Sequence, residues 1–262
     1  MFIADVVFYV SGHPDDALLF RGDVLYADLH SADGIRVVHV VTTAGDAGRT
    51  DGWWQAREQG SVDAFQATLS PDRISSGLAS INGRPVQRYT TPRWSCYFLR
   101  LPDGNLDNTG FPSTGGRTLA RLQSGAITTL ATVDGSTTYN GWASFTTTLQ
   151  AILAEERQGT ATLRPWVNAS DFDRAANPGD HPDHYATAEA LRSFVTSGYN
   201  RAWWVSYDVR NRPANINRLA LESKRYLFYS YGYAVQERTG ILPNDTEWEW
   251  WGPKRYERLE TT

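Results

Sequence analysis

Ile3-Ala4-Asp5-Val6-Val7-Phe8-Tyr9-Val10 runs directly into Ser11-Gly12-His13-Pro14-Asp15-Asp16. The first eight residues are rich in β-branched and aromatic side chains and short enough to form a strand buried on both faces of a parallel sheet. Either Asp15 or Asp16 suits a helix N-cap. A strand, a histidine-bearing turn and a helix carrying Leu18, Leu19, Val24, Leu25 and Leu29 are therefore expected in that order, with Gly22 weakening the helix.

Working outward, Ile35-Arg36-Val37-Val38-His39-Val40-Val41 gives a second β-branched run. It is followed by the loop Thr43-Ala44-Gly45-Asp46-Ala47-Gly48 and a helical stretch from about Trp54 to Leu69. This β-α-β-α order predicts a Rossmann-like, mainly parallel sheet with helices on both faces, an α/β fold. In such sheets ligands bind beyond the carboxyl ends of the strands, so the His13 turn and the Gly45 to Gly48 loop should face one crevice.

The segment 75–141 is dense in Gly, Pro, Thr, Ser and Asn and reads as loops with one strand, Tyr97 to Leu101. Order resumes with a helix from about Ala143 to Arg157 and a strand around Leu163 to Asn168. After these comes Asp180-His181-Pro182-Asp183-His184, which opens the helical sequence Tyr185 to Val195. A strand from Ala202 to Tyr207 and a helix from roughly Asn215 to Tyr231 follow. With neither an internal repeat nor a linker, 1–262 is expected to be one domain with a loop-rich elaboration at about 75–141 and an extended C-terminal tail.

The 262 residues carry a net charge of -4, with 21% charged and 41% hydrophobic side chains, which fits a globule able to bury a core. No basic stripe marks a nucleic-acid partner. Cys96 is the single cysteine, which excludes an intramolecular disulfide and a cysteine zinc cage, and no nearby histidine activates it. The first apolar run has no basic leader and no other stretch can span a bilayer, so a cytoplasmic location is expected.

Three of the five histidines lie in the two His-Pro-Asp clusters. Zinc accepts imidazole nitrogen and carboxylate oxygen, and catalytic sites use three protein ligands with one open position. Two histidines and one aspartate meet that rule. Asp180 and Asp183 can fix the imidazoles from outside. His30 and His39 lack clustered partners and read as structural. No Gly-x-Ser-x-Gly elbow is present, and Ser11-Gly12-His13-Pro14 lacks the glycine spacing of a dinucleotide site.

A strand ending in His-Pro-Asp-Asp, a downstream His-Pro-Asp-His opening a helix, and a Thr-x-Gly-Asp-x-Gly loop between them resemble the LmbE/PIG-L family of zinc-dependent N-deacetylases. The likeness is strongest at residues 3–69 and 163–195. It implies His13, Asp16 and His184 as ligands of one Zn2+ per chain or another divalent transition metal, and Asp15 as the general base toward the attacking water. It implies His181 as the group that polarises the amide and protonates the leaving amine, oriented by Asp183. Where some members carry a tyrosine two residues before the first histidine of the second cluster, implicated at the oxyanion, this chain has Gly179.

Arg57 and Asp103 match substrate contacts of the family. Asp46 is a further candidate, although an aspartate flanked by glycines also serves turns. Trp53 and Trp54, beside the glycine loop, are candidates for the pocket wall, whereas Trp203-Trp204 reads as core. The resemblance implies hydrolysis of an N-acetyl or other N-acyl group on an amino-sugar-containing substrate, a small-molecule N-acyl amino sugar or glycoconjugate such as an N-acetylglucosamine conjugate. The alternatives are an amidase for a bulky glycosylated natural product or thiol conjugate, and a metal-containing carbohydrate-binding protein without turnover. The sequence leaves the oligomeric state open.

Overall fold

The computed structural model describes residues 5–68, 72–160, 163–242 and 245–261; Ile3, Ala4 and Leu69 of the predicted elements lie outside them. The chain begins with β1 (Val6–Ser11), α1 (Asp16–Phe20), α2 (Gly22–Leu29), β2 (Arg36–Thr43) and α3 (Trp53–Thr68). Next come β3 (Ser75–Ile81), β4 (Arg84–Thr90), β5 (Trp94–Leu101), α4 (Leu119–Ser124), β6 (Thr129–Ala131), β7 (Thr138–Asn140) and α5 (Trp142–Arg157). It closes with β8 (Trp166–Ser170), α6 (Pro182–Arg192), β9 (Asn200–Trp204), α7 (Arg218–Thr239), α8 (Asp245–Trp251) and β10 (Glu257–Glu260).

The main sheet has the order β10-β9-β8-β1-β2-β5-β4-β3. Its five central strands, β9 to β5, pair in parallel, and β10, β4 and β3 extend it antiparallel at the two edges. Alternation along β1 divides the core. Val6, Phe8 and Val10 pack with Leu149 and Ile152 of α5 and Leu191 of α6, while Val7 and Tyr9 pack with Leu18, Leu25, Leu227 and Phe228 on the opposite face. Each such side chain removed from water contributes about 1.5–3 kcal/mol, so the centre of the sheet is a firm base for the loops above it.

The sheet grows from β1 to β2 and β5 on one side, and later from β8 to β9 on the other. The crevice at this reversal of strand order lies at the carboxyl ends of β1 and β8, where ligands bind in open α/β sheets. Both His-Pro-Asp clusters follow those two strands.

Three regions differ from the sequence expectation. The predicted first helix breaks at Arg21 into α1 and α2, with Arg21 at φ -136 and ψ 18. Arg21 turns its Nε to Asn168 Oδ1 at 2.7 Å, and Gly22 lets Lys224 of α7 approach closely. The segment 75–141 is not mainly loop: it adds β3, β4 and β5 to the sheet and forms α4 and the β6–β7 hairpin. These strands evade pattern reading because β3 is mostly exposed and short of β-branched residues, while Pro85 falls in β4, before the Gln87 to Thr90 stretch that pairs with β5. The C-terminal tail folds back as α8 and β10, and β10 pairs with β9 from Glu257↔Trp204 onward. Among the described residues, no helix is long and apolar enough to cross a membrane.

Candidate active site

The turn after β1 is closed by its own side chains. Asp16 Oδ2 accepts the backbone N–H of His13 at 2.7 Å, leaving Oδ1 free to face the imidazoles. Thr43 donates to Gly12 O through both N–H and Oγ1, at 2.9 and 2.8 Å, tying the turn to the end of β2. Gly12 is required by proximity: a Cβ there would stand 2.7 Å from His184 Cδ2.

The second cluster is held by the start of α6. His181 is the N-cap, and its Nδ1 accepts the N–H of Asp183 at 3.2 Å, with Pro182 in the first turn. This capping bond fixes the imidazole proton on Nε2. Burial, reinforced by the nearby charge of His13, lowers the His181 pKa to about 4 and keeps the ring neutral. One turn on, His184 Nδ1 bonds Asp180 Oδ1 at 2.8 Å, and Asp180 Oδ2 accepts from Asn177 at 2.8 Å. A carboxylate on one ring nitrogen directs the other nitrogen, Nε2, into the crevice.

There the two clusters meet. His13 Nδ1 and His184 Nε2 are 3.0 Å apart, and Asp16 Oδ1 lies 3.1 Å from the His184 nitrogen and 3.6 Å from the His13 nitrogen. All three residues are buried. Burial opposes ionisation of Asp16, but His184 and His13 draw its carboxyl well below the usual range. The donor set fits a zinc-type ion, because metal bonds of 2.0–2.1 Å in a tetrahedron separate the ligand atoms by about 3.3 Å. His13 Nε2 and Asp183 Oδ1 are buried without a hydrogen-bond partner among the described residues; Asp183 Oδ2 approaches His13 Nε2 at 3.3 Å. The Asp183 carboxylate thus faces His13 more closely than His181, whose Nδ1 is 3.6 Å away, and it is the Asp183 backbone that orients His181.

Asp15 lines a cavity of about 260 Å3 together with His13, Asp16, Arg57, Asp103 and His181. Arg57 Nη2 donates to Asp15 Oδ1 at 2.5 Å, and its Nε and Nη1 are anchored on Tyr231 Oη and Gly45 O at 2.9 and 2.6 Å. Burial works against the guanidinium charge, but Asp15, Tyr231 and Asp103 hold its pKa well above the ordinary value. Asp103 Oδ1 lies 3.7 Å from His181 Nε2. Asp46 acts on the loops: its Oδ1 accepts the Asp103 N–H at 2.8 Å and its Oδ2 the Gly48 N–H at 3.0 Å. Gly104 donates to Asp183 Oδ2 at 2.9 Å, an approach that a side chain at 104 would obstruct.

Trp53 and Trp54 do not line this cavity. Each carries a guanidinium on its face, Arg49 at 4.5 Å and Arg100 at 5.0 Å. Trp203 and Trp204 are buried in the core, and His39 is buried with its Nε2 3.0 Å from Ser11 Oγ. The wall also includes Tyr207, Glu247 and Trp251, which sequence reading did not select. The Tyr207 and Trp251 rings stack at 4.9 Å and 7°, and the Tyr207 ring lies 5.4 Å from that of His184. Tyr207 follows the carboxyl end of β9, a position from which strand order alone flags a residue. Trp251 falls in the C-terminal tail, where no motif marks it, and nothing in the sequence distinguishes Glu247.

A family model described as GlcNAc-PI de-N-acetylase, PIG-L, matches residues 8–195. No curated protein matches the sequence. Among solved structures, a deacetylase of the teicoplanin biosynthesis pathway in its bog complex has a TM-score of 0.52 at 16% identity, covering 88% of this chain and 84% of its own. A pseudoaglycone deacetylase for an antimicrobial reagent has a TM-score of 0.51 at 15% identity, covering 98% and 96% of the two chains. A triple mutant of the teicoplanin-pathway deacetylase gives 0.50 at 16% identity, over 89% and 83%. These likenesses establish a shared fold.

Proposed function

The chain belongs to the GlcNAc-PI de-N-acetylase, or PIG-L, family, and from that premise we propose that it hydrolyses an N-acetyl or other N-acyl group on an amino-sugar substrate. His13, Asp16 and His184 would hold one divalent ion of the zinc type. The observation that carries this reading is the meeting of His13 Nδ1, His184 Nε2 and Asp16 Oδ1 within 3.0 to 3.6 Å, next to an aspartate that the cluster does not use. A carbohydrate-binding protein without turnover has no need of that fourth group.

Such an ion, when bound, brings the pKa of water to about 7 and polarises a carbonyl oxygen. Asp15 is the proton acceptor for the attacking water. Arg57 clamps Asp15 Oδ1, which leaves Oδ2 toward the cavity and fixes the direction of proton transfer. The same carboxyl, rather than His181 as the resemblance implies, then returns its proton to the departing nitrogen, because the His181 ring carries no spare proton near neutrality; the C–N bond breaks to give a carboxylic acid and an amine. His181 is neutral with its proton on Nε2, and in this reading it donates a hydrogen bond to the acyl oxygen as negative charge develops. Tyr207 is the second donor, substituting for the side chain that Gly179 lacks. Its hydroxyl donates to no described residue, and burial together with Asp16, Asp180 and Asp15 raises its pKa and keeps it protonated.

The test is release of primary amine and acetate from N-acetylglucosamine and its glycosides by zinc-loaded protein. Stoichiometric release of both that stops with Asp15→Ala is the expected result. Tight sugar binding without release would instead favour the binding-protein reading.

A further inference from the structure

The cavity around His13 continues past Tyr207. Leu106, Tyr207, Glu247 and Trp251 are shared with an outer cavity of about 500 Å3 that runs by Gly179 to Arg210 and Trp250. The inner space, about 260 Å3, falls below the roughly 300–1,000 Å3 of drug-sized ligand sites, and the two together fall within it. Gly179 lines the outer cavity at open space: its φ is +66, and no atom lies within 4 Å of where a Cβ would stand.

Arg210 gives the outer cavity its chemistry. Its guanidinium carbon sits 4.2 Å from the centre of the Trp250 ring, which holds the planar fork in place. Among the described residues no carboxylate forms an ion pair with it. Neighbouring Asp208 is engaged by Arg212 at 2.8 Å and by Asn211 at 3.2 Å. A positioned, exposed guanidinium without a counter-ion, beside the apolar surfaces of Leu106 and Trp250, suits a planar or tetrahedral anion attached to an apolar group.

We infer that the outer cavity takes the aglycone of the substrate, and that Arg210 selects an aglycone bearing a carboxylate or phosphate. The inference rests on the reading of the inner cavity as the site of the N-acylated sugar.

The experiment compares kcat/KM of zinc-loaded protein for the phenyl glycoside of N-acetylglucosamine with that for its 4-carboxyphenyl and 4-phosphooxyphenyl counterparts. At least one anionic glycoside should be favoured by about tenfold, mainly through KM, as expected for one charge-assisted contact. Which of the two is favoured identifies the anion. Arg210→Gln should bring the ratio near one, and Arg210→Lys should retain part of it. Equal values in the native protein, or a ratio untouched by Arg210→Gln, would overturn the inference. Calorimetry with the corresponding glucosamine products separates the two readings: an Arg210-dependent preference in Kd without turnover keeps the aglycone site and refutes the hydrolase, whereas no preference in Kd or kcat/KM refutes the aglycone site alone.

Discussion

His13 Nδ1 and His184 Nε2 face each other at 3.0 Å although 171 residues separate them in the chain. Two buried imidazole nitrogens and the Asp16 carboxylate at this spacing concentrate lone pairs where water cannot solvate them, and a shared cation relieves that cost. His184→Ala should therefore lose both bound zinc, measured by elemental analysis after dialysis, and turnover. A variant that keeps its zinc would remove His184 from the ligand set.

Asp15 separates binding from chemistry. It shares the cavity with His13 and Asp16 and is clamped by Arg57. Asp15→Ala should lower kcat by about 10²- to 10⁴-fold, the usual contribution of a positioned proton acceptor, while zinc content stays at the native level. Full activity in this variant would assign the base elsewhere.

Asp183 tests the support behind His13. Its carboxylate is 3.3 Å from His13 Nε2 and receives the Gly104 N–H at 2.9 Å. Asp183→Asn should weaken zinc binding by about 10- to 100-fold, the range for groups that orient a metal-bound histidine. Competition with a chelator measures this, and unchanged affinity would reduce Asp183 to a helix-start residue.

Gly12→Ala probes the packing between the two turns. The added methyl would begin 2.7 Å from His184 Cδ2, so His184 must move. Zinc affinity should fall while the far-ultraviolet circular dichroism stays native, at a stability cost of about 1–3 kcal/mol. Native affinity would mean that the turns yield without disturbing the donors.

Lys224 gives a pH-dependent prediction away from the site. It is buried in α7 and donates to Lys254 O at 2.6 Å; burial disfavours the ammonium and lowers its pKa to about 7, against a partial offset from Asp23. Between that value and about 10.4 in the unfolded chain, the unfolded state holds the proton and the folded state does not. The stability associated with Lys224 is therefore present above the unfolded value and lost as pH falls through 7. Lys224→Met should be more stable than the native protein at pH 7 by about 1–3 kcal/mol, with the gap closing toward pH 10. Urea titrations at the two pH values measure the difference, and a constant gap would contradict it.

Much of the site could be read in the sequence because its chemistry is written in two short linear words, each at a place where a strand gives way to a helix. His13 to Asp16 is closed by the Asp16 bond to the His13 N–H, and Asp180 to His184 by the His181 cap and the Asp180 bond to His184, so their convergence needs only the parallel order of β1 and β8. Tyr207, Glu247 and Trp251 are different. Tyr207 reaches the cavity from the end of β9, and Glu247 and Trp251 by the folding back of the chain after α7; each is a single residue, and no local pattern encodes that packing. Trp53 and Trp54 failed as wall residues for a related reason: nearness to the glycine loop in sequence did not set the direction of their rings, which Arg49 and Arg100 cover.

The most direct test of the central claim is anomalous diffraction at the zinc edge from crystals of the zinc-loaded protein. The account predicts one peak per chain enclosed by His13, Asp16 and His184, with Asp15 outside its coordination. A peak at other residues, or none at this triad in protein that deacylates its substrate, would contradict it.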